Sequence, residues 1–264
     1  MTTIVIPARW ASSRYPGKPL ARIRGADGVA RSLIERSWQG ARSVPGDHEV
    51  VVATDNDRIV EAVEEIGGRA VMTPESCRNG TERVAALAGD GSPDEVFVNF
   101  QGDALLTPPD FVAALIAHME KHPDCEVATV AVRCSPGTYR HIVIDQAEGR
   151  VGGTTAIVNA AGNAQYFSKR VLPHISPGDA LENDPPVLLH LGLYAYRRSA
   201  LLRYAALPPC RVEEIEGLEQ LRFLHHEIPM AVLALEPPDW DMIELNNPQD
   251  LEPIERILAE RGIA

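Results

Sequence analysis

No stretch of the 264-residue chain approaches the roughly 18 consecutive apolar residues of a membrane-spanning helix. The N-terminal MTTIVIPARW enters a strand-like run directly, without a basic region followed by a long apolar one. A secretory leader is therefore not expected, and a cytoplasmic location is. Basic residues are in deficit: 25 Lys and Arg against 37 Asp and Glu leave a formal net charge of −12. That balance speaks against the basic face that nucleic acid requires, although a few converging cations can still hold a small anion. Cysteines are few as well. The four present, Cys77, Cys125, Cys134 and Cys210, show no CxxC spacing and read as scattered reduced thiols. Internal repeats and low-complexity linkers are lacking too, so the length fits one large α/β domain, or a main domain with a smaller lobe.

What is present is an alternation. Thr3–Ile6, Glu49–Ala53 and Glu95–Phe100 are short apolar, β-branched runs. Between and after them, Val29–Ala41, Ile59–Ile66 and Asp110–Glu120 place apolar residues at helical spacing. Strands alternating with helices imply right-handed βαβ units and a parallel sheet. Ligands of such sheets sit beyond the carboxyl ends of the strands, so the loops after the three runs are where chemistry is expected. In the second half, Thr154–Val158, Ala164–Phe167 and His190–Tyr196 predict closely spaced strands, an antiparallel element inserted into or beside the main sheet. A helix over Glu213–His225, a strand over Met230–Leu235 and a final helix from Pro248, capped by Asn247, complete the reading.

The loop after the first strand, Pro7-Ala8-Arg9-Trp10-Ala11-Ser12-Ser13-Arg14-Tyr15-Pro16-Gly17-Lys18-Pro19-Leu20, carries three cations in ten residues among small residues and a Pro-Gly turn. Small residues admit close backbone approach, and Arg and Lys neutralise phosphate charge, so the loop suits a polyphosphate. It lacks the GxxxxGK[ST] pattern of a P-loop. After the third strand, Gln101-Gly102-Asp103 sets a carboxylate at the same sheet edge. Magnesium prefers one or two carboxylates together with phosphate oxygens.

The order PARxxSxRxPGKPL resembles the opening of the sugar-acid cytidylyltransferases, above all the 3-deoxy-manno-octulosonate (Kdo) cytidylyltransferase family. Matching segments follow in order: Asn79-Gly80-Thr81-Glu82-Arg83, Asn99-Phe100-Gln101-Gly102-Asp103, Tyr166-Phe167-Ser168-Lys169, His190 to Tyr196, and Glu216 to Arg222. The resemblance spans nearly the whole chain. It implies a Rossmann-like, glycosyltransferase-A-like nucleotidyltransferase fold with a mostly parallel sheet. A smaller strand-rich lobe, about residues 135–210, would serve acceptor binding and dimerisation. It also implies transfer of CMP from CTP to the anomeric hydroxyl of an acidic sugar, with pyrophosphate released and Mg²⁺ as cofactor. Carried over by position, Arg9, Arg14 and Lys18 would hold the phosphates. Backbone at Ala8, with Arg78 and Thr81, would lie near the cytosine, and Gln101 near the ribose. Arg14, Lys18 and Asp103 would carry the catalysis. Thr81-Glu82 equally suits a plain helix start, since Thr caps and Glu favours a first turn.

Three positions depart from the family pattern. Ala104 and Leu105 stand where Glu-Pro usually follows Gln-Gly-Asp. Asn246 stands where a second metal carboxylate is usual, and Ala156 where a Lys is usual. Asn supplies a neutral oxygen but no charge. A modified metal site with Asp239 or Asp241 compensating, an unusual acid acceptor (a phosphonate or a specialised-metabolite sugar), and weakened catalysis all fit these changes. On the acceptor side, Glu216, Glu219 and Gln220 fall at i, i+3 and i+4 of the expected helix and share one face. His190, Tyr194 and Tyr196 point the same way along their strand, and His190 is expected near the acceptor carboxylate.

Overall fold

The computed structural model describes residues 2–11, 15–89, 95–103 and 105–264. The chain opens with β1 (Thr2–Ala8), the short antiparallel pair β2 (Arg22–Arg24) and β3 (Ala30–Ser32), and α1 (Leu33–Arg42). It continues through β4 (Glu49–Thr54), α2 (Asp57–Glu65), β5 (Arg69–Met72), α3 (Gly80–Ala85), β6 (Val96–Asn99) and α4 (Pro109–Lys121). Then follow β7 (Val127–Arg133), α5 (Pro136–Ala147), the hairpin β8 (Thr154–Val158) and β9 (Ala164–Ser168), and the long β10 (Leu188–Arg197). The last elements are α6 (Arg198–Ala206), α7 (Arg211–Glu216), α8 (Leu221–His225), β11 (Met230–Leu235) and α9 (Leu251–Arg261).

The main sheet runs β11-β7-β10-β6-β1-β4-β5, with the β8–β9 hairpin attached to β10. Pairs β1–β4, β1–β6, β4–β5 and β7–β11 are parallel, and β10 enters antiparallel between β6 and β7. Alternation along β1 shows why it is central. Ile4 and Ile6 pack with Ile34 and Val112 on one face, and Val5 packs with Val84, Tyr204 and Phe223 on the other. A strand covered on both faces reads as a continuous apolar run.

The expected helix over Val29–Ala41 starts later. Residues 30–32 form β3, and Ser32 caps α1 by accepting the Glu35 N–H at 3.2 Å, so the helical pattern holds only from Leu33. The helix expected over Glu213–His225 is two helices. Gly217, at φ 62°, ends α7 in a left-handed cap, and α8 begins only at Leu221. Glu216, Glu219 and Gln220 therefore do not share a helix face.

Candidate active site

Three loops meet at the carboxyl edge of β1, β4 and β6, as a parallel sheet requires. Ala8 is buried in register with Thr54, and Arg9 is exposed just beyond it. Gly17, at φ 69°, turns the chain back so that its N–H reaches the Trp10 carbonyl at 3.3 Å. Glycine takes this conformation without steric cost. The next residue, Lys18, sets its ammonium 2.5 Å from Asp103 Oδ2, so the cation of the first loop and the carboxylate of the third are brought together. Arg14 and Ala104 lie outside the described residues.

Asp103 reaches this position because Gly102 lets its loop press on β1: a Cβ at 102 would stand 2.9 Å from the Pro7 carbonyl. The Asp103 carbonyl also accepts the Leu245 N–H at 3.2 Å, which draws the segment carrying Asn246 to the same edge. Asn246 donates its amide to Glu244 at 3.3 Å. Its backbone N–H donates to Asp250 at 2.8 Å, so Glu244 and Asp250 are the carboxylates beside Asn246, while Asp239 is turned to Arg261 at 2.9 Å and Asp241 is exposed. No group of three or more metal-type side chains gathers among the described residues. The oxygen donors of Asp103, Asn246 and Glu244 are nonetheless the hard ligands that suit Mg²⁺, which needs few protein ligands when phosphate supplies the rest.

On the loop between β5 and α3, the second loop of the nucleotide reading, Asn79 caps α3 by accepting the Glu82 N–H at 2.8 Å. Arg78 lies along Glu82 (2.6 Å), and the buried Arg222 joins Glu82 to Glu213. Thr81 is fully buried and its hydroxyl meets the Tyr196 hydroxyl at 2.7 Å. Its side chain is thus turned into the core. Its N–H donates to Glu219 at 2.8 Å.

The residues expected from sequence on the acceptor side divide into three arrangements. The Glu216 carboxylate is held by the Ser168 hydroxyl (2.8 Å) and the Lys169 N–H (3.0 Å), so it ties β9 to the end of α7. Glu219 is held by Thr81, and burial raises its carboxyl to about 7. Gln220 is buried: it accepts from the Tyr194 hydroxyl at 3.2 Å, and its amide nitrogen stands 3.5 Å from His190 Nδ1. His190 Nε2 meets Thr129 Oγ1 at 2.9 Å, and Thr129 in turn donates to the Leu193 carbonyl. That order assigns the imidazole as neutral with its proton on Nε2, and burial pushes its pKa down to about 3. His190 is thus packed as a neutral ring between Thr129, Gln220 and Tyr194. Between Leu191 and Tyr194, β10 advances three residues against one on β7, and the bulge presses Gly192 against Gln101.

Asp55 was not among the residues singled out from sequence. It follows β4 directly, and its carboxylate takes the Trp10 N–H at 2.9 Å and the Arg83 guanidinium at 2.8 Å. The signal was available, since an Asp immediately after an interior parallel strand stands at the ligand edge.

A family model described as "Cytidylyltransferase" matches residues 3–230, which take in all three loops and the acceptor segments through Arg222. The chain belongs to the cytidylyltransferase family. Among curated cytidylyltransferases, the 3-deoxy-manno-octulosonate cytidylyltransferase of Maricaulis maris (strain MCS10) is 41% identical over 259 residues, 98% of this chain and 97% of that one. The protein of the same name from Chlamydia abortus (strain DSM 27085 / S26/3) is 37% identical over 97% of this chain and 92% of its own. A solved CMP:2-keto-3-deoxy-manno-octonic acid synthetase, complexed with CTP, superposes with a TM-score of 0.83. It is 32% identical, covering 98% of this chain and 99% of that one. A Leptospira borgpetersenii cytidylyltransferase, 14% identical with a TM-score of 0.61, shares the fold. The expected fold class and nucleotidyltransferase activity thus stand. No helix among the described residues is long and apolar enough to cross a membrane.

Proposed function

We propose that this cytidylyltransferase moves CMP from CTP to the anomeric hydroxyl of Kdo or a Kdo-like sugar acid, releasing pyrophosphate. The observation that carries the reading is the Lys18–Asp103 contact at the edge of β1 and β6, where the two charges a metal–triphosphate complex needs stand together. The near-full-length similarity to Kdo cytidylyltransferases supports the acceptor class.

In this reading Arg9, Arg14 and Lys18 hold the triphosphate, backbone at Ala8 with Arg78 and the Thr81 main chain frames the cytosine, and Gln101 lies by the ribose. Asp103 would hold Mg²⁺, with Asn246 or Glu244 offering a further oxygen. The ion, when bound, draws charge from the phosphates and steadies the departing pyrophosphate. Lys18 then exchanges Asp103 for phosphate oxygens, and its fixed ammonium neutralises charge that grows as the α-phosphorus is attacked in line. Gln220, Tyr194, Glu219 and the neutral His190 orient the acceptor hydroxyls, so most of the rate comes from positioning. Glu216 acts one step back, through Ser168 and Lys169.

The lobe formed by residues 135–210 would also serve dimerisation, since Ile144, Val151 and Leu181 leave apolar side chains about half exposed there. Gel filtration with light scattering tests it: a dimer is expected, and a monomer at micromolar concentration removes that part of the reading. A different acid acceptor is a second reading, favoured by Ala156, which is buried in β8 where the family pattern has a Lys. The deciding experiment is pyrophosphate release from CTP, ATP and GTP with Kdo and a panel of sugar acids and phosphonates. Turnover with CTP and Kdo is expected. Turnover with CTP and another acid alone moves the chain to the second reading, and no turnover with any acceptor removes both.

A further inference from the structure

The carboxylate of Asp55 has no place in the chemistry described so far, yet it is spent entirely on the two nucleotide loops. Its side chain is 11% exposed and that of its partner Arg83 is 4% exposed. One oxygen accepts the Trp10 N–H from the first loop, and the other accepts Arg83 from α3, the helix that opens with the second loop. Arg83 is fixed in turn by Thr73, whose hydroxyl and N–H both reach the Thr54 carbonyl at the end of β4. Asp55 therefore stands on a rigid base.

From Trp10 the connection runs on toward the phosphates. The Trp10 carbonyl accepts the Gly17 N–H and its ring lies against Gly17, where a Cβ would sit 3.2 Å from the indole. The Arg58 guanidinium covers the ring at 5.0 Å. Gly17 then delivers Lys18 to Asp103. An unbroken series of polar contacts thus joins α3 to the triphosphate lysine through Asp55 and Trp10.

We propose that Asp55 is a positioning residue for the nucleotide, holding the first loop in the shape that receives the triphosphate and coupling it to the base-side loop through Arg83. This rests on reading the first loop as the CTP cradle. Such a residue acts on CTP affinity and leaves acceptor affinity alone, because none of its contacts touches the acceptor segments. A purely structural Asp55 would change stability without that division.

Removing Asp55 would strand the buried Arg83 charge, so the test works from the other end of the bond. Trp10→Pro deletes the N–H donor and leaves the Asp55–Arg83 pair intact. Trp10→Ala keeps the N–H and loses the ring, as a control. CTP binding is measured by calorimetry with and without Mg²⁺, alongside the KM of CTP and of the acceptor and the melting temperature. Trp10→Pro should bind CTP at least tenfold more weakly than Trp10→Ala, with the acceptor KM within twofold of wild type. Asp55→Asn, which keeps an acceptor for the Trp10 N–H, should retain more CTP affinity than Asp55→Ala. Equal CTP affinity of Trp10→Pro and Trp10→Ala, or a parallel rise in the acceptor KM, would overturn the proposal. Wild-type protein that does not bind CTP at all would instead overturn the cradle reading on which it rests.

Discussion

Lys18 and Asp103, 85 positions apart in the chain, meet at 2.5 Å with both side chains partly shielded from solvent. In the proposed reading this lysine rests on the carboxylate that would hold the metal, and triphosphate binding exchanges one anionic partner for another. Loss of its ammonium should therefore be felt in the transition state. Lys18→Ala is expected to lower kcat/KM for CTP by about 10²-fold, equivalent to roughly 3 kcal/mol. Steady-state kinetics read this, and circular dichroism close to wild type shows an intact fold. Activity within twofold of wild type would make the first loop a solvated basic turn.

In the proposed reading, nucleotide choice follows from the loop between β5 and α3. Arg78 is laid along Glu82, and the main chain at Thr81 is pinned by Glu219, which leaves a rigid frame of backbone groups. CTP should be turned over far faster than ATP or GTP, measured as pyrophosphate release at equal concentrations. Equal rates with ATP would remove the cytidine assignment.

Asp103→Asn should abolish Mg²⁺-dependent turnover, since it removes the acidic ligand that faces Lys18. Asn246→Asp should lower the Mg²⁺ concentration needed, because it adds a charge at a segment already bonded to the Asp103 backbone. The added carboxylate also faces Glu244, and like-charge repulsion offsets part of the gain. Mg²⁺ titrations of pyrophosphate release compare the variants with wild type. Wild-type metal dependence in Asp103→Asn would place the metal in another loop.

Glu219 makes stability depend on pH. Burial raises its carboxyl from the ordinary 4.5 to about 7, so between these values the folded state binds the extra proton. Its contribution is fully present below pH 4.5 and is lost as pH rises through about 7, a swing of roughly 3 kcal/mol by linkage. Denaturant unfolding of wild type and Glu219→Gln at pH 5 and pH 8 isolates it. The glutamine variant should gain relative stability at pH 8, and identical pH profiles would show that the carboxyl titrates normally.

How much of this was readable in sequence depends on the range of the interactions involved. Strands β1, β4 and β6 announce themselves because a strand buried on both faces reads as a largely apolar run, and the cations after β1 and the carboxylate after β6 are local in the chain. Those features carried the fold class and the proposed phosphate loop, and the order of the matching motifs carried the family. The break at Gly217 was not readable. The apolar spacing runs on through residues 213–225, whereas in the structure Gly217 takes a left-handed cap and Glu216 and Glu219 are drawn to different partners at Ser168 and Thr81. The same holds for His190 and Asp55. Burial against Thr129 and Gln220 makes the histidine neutral, and convergence of Trp10 and Arg83 gives the aspartate its partners. Residue types and their periodicity follow from local covalent order. Protonation state, and which carboxylate is spent on structure, depend on groups that meet only when distant segments pack, because desolvation and hydrogen bonding are properties of the assembled neighbourhood.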